Sequence, residues 1–179
     1  MKIISSLTIS AALIACSLLS AQAAPKLKSA ASTTDARAIL ENADSLSNEM
    51  ANAADRLAIS AKSRDYTEMQ LNALDVLRSD INRIGQDLSM IQTKAETLPP
   101  WESRAVDEVL PLMKEIATNT EEAIQNFNAN RNHLWATAFP EETAQVYRES
   151  ERVKEILDGN LKLAAALEEE RRLKSALSQ

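Results

Sequence analysis

From Asp35 onward, apolar side chains recur at alternating steps of four and three, the spacing that lines one face of an α-helix. Ile39, Ala43, Leu46, Met50, Ala53 and Leu57 form the first such seam and predict a helix over 35–62, with Thr34 or Asp35 as its N-cap. The alanines in that seam admit a close neighbour, because the distance between helix axes follows the size of the contact residues. A break at Ser63-Arg64-Asp65 separates it from the most regular repeat in the chain: Leu74, Leu77, Ile81, Ile84, Leu88, Ile91, Ala95 and Leu98. This second helix is predicted over 65–97, with Asp65 and Glu68 spaced as a variant capping box. Gly85 falls inside it. A helical glycine costs about 1 kcal/mol relative to alanine, so the expectation is that close packing requires it.

Leu98-Pro99-Pro100-Trp101 ends the second helix, since proline disfavours helical geometry in the residue before it. The same prolines open a third helix over 100–132. Its seam is Ala105, Val109, Leu112, Ile116, Ala123 and Phe127, with Thr120 filling the gap. Pro111 lies inside it and predicts a bend near 107–111. The asparagines at 126, 128, 130 and 132 predict fraying toward His133. After a connection through Leu134 to Phe139, Pro140 and two acids begin a fourth helix over 140–177. Its seam is looser: Val146, Val153, Ile156, Leu157, Leu161, Ala164 and Leu167. Glu168 with Arg172, and Glu170 with Lys174, are expected as i,i+4 pairs on its solvated end.

Four long helices of similar length and short turns predict an all-α fold. Its expected form is an antiparallel up-down-up-down four-helix bundle with coiled-coil-like packing, spanning 35–179. A pair of helical hairpins that completes its core as a homodimer is the alternative. Composition supports the helical class: the chain has two glycines and 3% aromatics, whereas sheets draw on turn glycines and on β-branched or aromatic runs.

The opening residues read differently. Lys2 is followed by a run from Ile3 to Leu19 of apolar residues, Ser, Thr and Cys, then by Ala21-Gln22-Ala23. That order predicts a signal peptide over 1–23, hence export to the periplasm or the extracellular space with no stable membrane span after processing. Leu13-Ile14-Ala15-Cys16 resembles the lipobox of bacterial lipoproteins, which implies the competing outcome of a lipid anchor on Cys16. Residues 24–34 lack helical periodicity and are expected to form a flexible leader.

Charge and chemistry narrow the function. The full chain carries a formal charge of −6, and loss of Lys2 with the signal would make the remainder one unit more negative. Basic residues are dispersed among acids rather than gathered in patches, which argues against nucleic acid as a partner. Cys16 is the only cysteine, so a processed chain would have no disulfide, thiolate metal site or thioether-linked haem. With one histidine and no Gly-rich phosphate loop, the expectation is a non-enzymatic protein without a resident cofactor or metal. Its carboxylates are read as solvated surface groups. A di-iron bundle site would need Glu-x-x-His, and Asn130 stands where that Glu would be.

What remains is binding. If the helices alternate in direction, Tyr66, His133, Trp135, Phe139 and Tyr147 gather near one end, and Trp101 lies at the other. Aromatics concentrate in interface hot spots, so that end is expected to bind a protein or envelope component, or else to close the core as a lid. The alternative function is a small-molecule carrier, for haem or a lipid-like ligand, using the bundle interior. Met69 is the methionine placed level with His133 for a haem iron.

Overall fold

The computed structural model describes the backbone of residues 29–63, 67–94 and 98–178, with side chains from Ala36 onward. The signal-like run with Cys16, the first part of the expected leader, Asp65, Tyr66 and Ala95 lie outside the described residues. Among the described residues there are four α-helices and no strand: α1 (Ser29–Ser60), α2 (Thr67–Gln92), α3 (Pro100–Asn130) and α4 (Phe139–Leu177). A short 3-10 turn, Leu134–Ala136, joins α3 to α4.

Helix α1 begins at Ser29 rather than Asp35, so residues 29–34 continue the helix instead of serving as a leader. They contain Ser, Ala and Thr but no proline or glycine, and nothing in them terminates a helix. Helix α2 is shorter than its repeat. It stops at Gln92, where Thr93 turns its hydroxyl onto the Met90 carbonyl and the Lys94 N–H bonds back to Ile91 in a tighter turn. Helix α3 closes at Asn130, whose carbonyl accepts the His133 N–H in a tighter turn while its side-chain amide donates to Asn126. At 1.5 Å per residue, α4 with 39 residues reaches about 58 Å and α2 with 26 about 39 Å. The helices are therefore unequal, contrary to the expectation of matched lengths.

The helices pack as a bundle in which α1 lies against α2 and α4, and α3 lies against the same two. Hydrogen bonds tie the end of α1 to the start of α2, from Gln70 to the Ser60 carbonyl at 2.8 Å. Others tie the start of α1 to the far part of α2, from Asn42 to Asp87 at 2.7 Å. Asn119 to Glu149 and Asn126 to Glu142 link α3 to α4 in the same way. Most of the predicted seams lie in the core, but Leu98 on the second seam and Ile156 and Leu161 on the fourth are half-buried, and Leu167 is exposed. Leu74, Leu77, Ile81, Ile84, Leu88 and Ile91 are buried on α2, as are Ala105, Val109, Leu112, Ile116, Thr120, Ala123 and Phe127 on α3. Ile39 is half-buried, while Ala36 and Leu40 take the deeper positions beside it.

Helix α3 runs continuously through Pro111, whose ring is exposed to solvent. Gly85 is not a close-packing device: a Cβ at Gly85 or Gly159 would meet nothing within 4 Å. Both glycines therefore cost helix propensity without a steric return. Gly85→Ala and Gly159→Ala are each expected to stabilise the protein by about 1 kcal/mol and to raise Tm by about 2–4 °C. A lower Tm in calorimetry would show that a neighbour does approach these positions.

Candidate functional site

The aromatic end is only partly assembled as expected. Phe139 is 0% exposed and packs on Phe127 with ring centroids 6.0 Å apart and a 48° tilt, so it is core rather than surface. Its position at the start of α4, directly after the 3-10 turn, carries it inward. His133 is exposed and lies 5.7 Å from the ring of Trp135, which is half-buried. Tyr147, two turns into α4, packs partly buried against the core. Met69, the methionine weighed with His133 for an iron, is exposed. The structure thus brings His133 and Trp135 together at the surface and buries Phe139 in the core.

A second arrangement lies where α3 begins. Helices α1 and α4 continue past the first turn of α3 and leave a notch of about 340 Å³ lined by Arg37, Pro99, Trp101, Glu102, Ala164, Leu167, Glu168 and Arg171. Among the described residues, none of His133, Trp135, Phe139 and Tyr147 lines it. Glu102 is 1% exposed, and its Oε2 is buried without a hydrogen-bond partner. The local sequence accounts for this. A glutamate in the first turn of a helix ordinarily reaches back to the backbone N–H at the N-cap. Here the N-cap is Pro99 and the next residue is Pro100, so the two nearest backbone donors do not exist.

Burial raises the Glu102 carboxyl to about 7, with the Arg37 guanidinium opposing. Arg37 does not neutralise it, because that guanidinium is already shared between Glu41, at 2.9 Å, and Glu168. Glu168 therefore departs from its expected pairing along the helix. It crosses to α1, and Arg172 pairs with Glu169 at 3.0 Å instead. The expected Glu170–Lys174 pair does form. Arg171 stands exposed at the rim of the notch.

Glu102 is the residue the sequence reading missed, although its register marks it. Counting back seven from Val109, or three from Ala105, places Glu102 on the buried seam of α3, in a position otherwise held by apolar side chains. Glu149, four before Val153, occupies the same kind of position on α4; it is buried but accepts bonds from Asn119 and Gln145. Asp80 is also buried with an unpartnered Oδ2, and burial raises its carboxyl too, with the Glu49 charge adding and the Arg83 charge opposing. Glu102, Glu149 and Asp80 correct the reading of the carboxylates as solvated. Of the three, Glu102 lines the notch.

Among the described residues, no group of three or more His, Cys, Asp or Glu side chains could hold a metal ion, and no helix is long and apolar enough to cross a membrane. Comparison with protein-family models, with curated proteins and with solved structures finds no match for this chain.

Proposed function

We propose that the chain is an exported, non-enzymatic, antiparallel up-down-up-down four-helix bundle with coiled-coil-like packing that works by binding, and that the notch at the start of α3 takes a small molecule. The hydrogen-bonded pairs between successive helices support that topology, and the signal-like residues 1–23 support export. One observation carries the binding reading: Glu102, whose buried Oε2 has no protein partner, lines a cavity together with Trp101, Leu167, Ala164 and the charged Arg37, Glu168 and Arg171. Ligand sites are concave and mostly apolar, with a few converging polar groups, and burying an unsatisfied carboxyl is costly unless something bonds to it. Native mass spectrometry of gently purified protein tests this. A small molecule retained by the unaltered chain and lost in Leu167→Trp, which fills the notch, is expected; identical spectra from both would refute the site.

A second reading is favoured by a separate observation, the exposed His133 set against half-buried Trp135 in the turn between α3 and α4. On this reading that end binds a protein or envelope component. Trp135→Ala is then expected to weaken capture of the partner by at least about tenfold, as a hot-spot residue does, with Tm nearly unchanged. Loss of stability with capture intact would return Trp135 to the lid.

A further inference from the structure

We infer that the notch ligand is an organic cation, an alkyl or arylalkyl amine whose ammonium group bonds to Glu102 and whose apolar part lies against Trp101, Leu167 and Ala164. This rests on the reading that the notch binds a small molecule, and it names the chemistry that would fit. Glu102 lines the cavity, and its buried Oε2 is without a donor from the protein. An ionised carboxylate accepts hydrogen bonds and donates none, so the complementary group is a donor, and a charged donor makes the strongest such bond. Trp101 lines the same cavity, and indole is the aromatic side chain that attracts cations most strongly.

The surrounding charges agree with a cation rather than an anion. From α1 the notch receives Arg37, whose guanidinium bonds Glu41 and Glu168 and so has two carboxylates against its one charge. From α4 it receives Glu168 and Arg171, the latter exposed at the rim. Among the described residues, α2 contributes no charged group to the wall. The buried part of the site thus holds one uncompensated group, and that group is acidic.

The inference makes affinity depend on pH in a stated direction. An alkylammonium titrates near 10, like a lysine side chain, and keeps its charge between pH 5.5 and 8. Glu102 has its midpoint at about 7, so the charged form that receives the ligand dominates at pH 8 and is scarce at pH 5.5. Binding is expected to be roughly thirtyfold weaker at pH 5.5 than at pH 8, the ratio of ionised fractions for such a midpoint.

The test uses the full chain and three probes of matched size: n-hexylamine, n-hexanol and hexanoate. Binding is followed by the Trp101 indole N–H resonance. The expected result is that hexylamine binds at pH 8 at least about tenfold more tightly than hexanol or hexanoate. It should lose that preference at pH 5.5 and in Glu102→Gln, with circular dichroism of the variant unchanged. If hexanol binds as well as hexylamine, the notch is an apolar ligand site and the cation assignment is wrong. Tighter binding of hexanoate would reverse the sign of the assignment. If none of the three moves the Trp101 resonance at millimolar concentration, both the cation assignment and the ligand-binding reading fall.

Discussion

Replacing Phe127 by alanine is expected to lower the stability of the bundle by about 3–5 kcal/mol, the usual cost of removing a buried aromatic ring. Phe127 is fully buried on the seam of α3 and packs on Phe139 at the start of α4. The guanidinium of Arg131, one turn later, lies 5.3 Å above the Phe127 ring. Deletion therefore removes apolar burial, an aromatic pair that contributes about 0.5–1.5 kcal/mol beyond its area, and a cation–π contact. The loss falls where α3 is joined to α4 through the 3-10 turn, so it also frees the entry to α4. Because a domain holds only about 5–15 kcal/mol in total, the variant should unfold at markedly lower denaturant concentration. Equilibrium unfolding in urea measures this, and a double-mutant cycle with Phe139→Ala isolates the ring pair. A change below about 1 kcal/mol would mean that the rings do not close this end of the core.

Glu102→Gln is expected to act in the opposite direction, and only at higher pH. The folded protein holds the Glu102 carboxyl at about 7, above its ordinary value of 4.5, chiefly through burial. A carboxyl raised on folding binds its proton more tightly in the folded state than in the unfolded one. Its stabilising protonation is complete below the unfolded value and is lost as pH climbs through the folded one. The unaltered chain should therefore lose stability between about pH 4.5 and 7 through this group. The glutamine variant, which carries no charge, should match it near pH 4.5 and exceed it at pH 8 by about 2–3 kcal/mol, at 1.36 kcal/mol per pKa unit. In Tm that is roughly 4–12 °C for a chain of this size. Thermal melts of both proteins across this range make the comparison. Parallel curves would show that Glu102 finds compensation that its surroundings do not reveal.

The contrast between these two residues shows what the sequence carries plainly and what it carries faintly. Phe127 lies on a seam of apolar residues, and a period of three and four marks such positions without reference to any other helix. The helices and most of their buried faces were legible for that reason, from Leu74 to Ile91 and from Ala105 to Phe127. Glu102 occupies the same register but is charged, and a charged residue at the head of a helix has an ordinary role at its N-terminus. Only the two prolines before it hinted that this role has no backbone donor to use.

Boundaries and lengths were less legible, because they depend on local competition. Helix α2 ends ahead of the prolines in a tighter turn, with the Lys94 N–H bonded to the Ile91 carbonyl, and the Ser, Ala and Thr residues before Asp35 extend α1 though they carry no apolar repeat. The notch follows from those unequal lengths: α1 and α4 run on past the head of α3. It could not be read from any one helix. Gly85 was misread for a related reason. The cost of a glycine is local and visible in sequence, whereas the space around it belongs to the neighbouring helices.

The reading of the notch depends most on one property, a buried Glu102 carboxyl with an oxygen that has no protein partner. Its titration, followed through the side-chain carboxyl carbon by NMR in the ligand-free full chain, measures that property directly. The account predicts a midpoint at about 7. A midpoint in the ordinary carboxylate range, near 4.5, would contradict it.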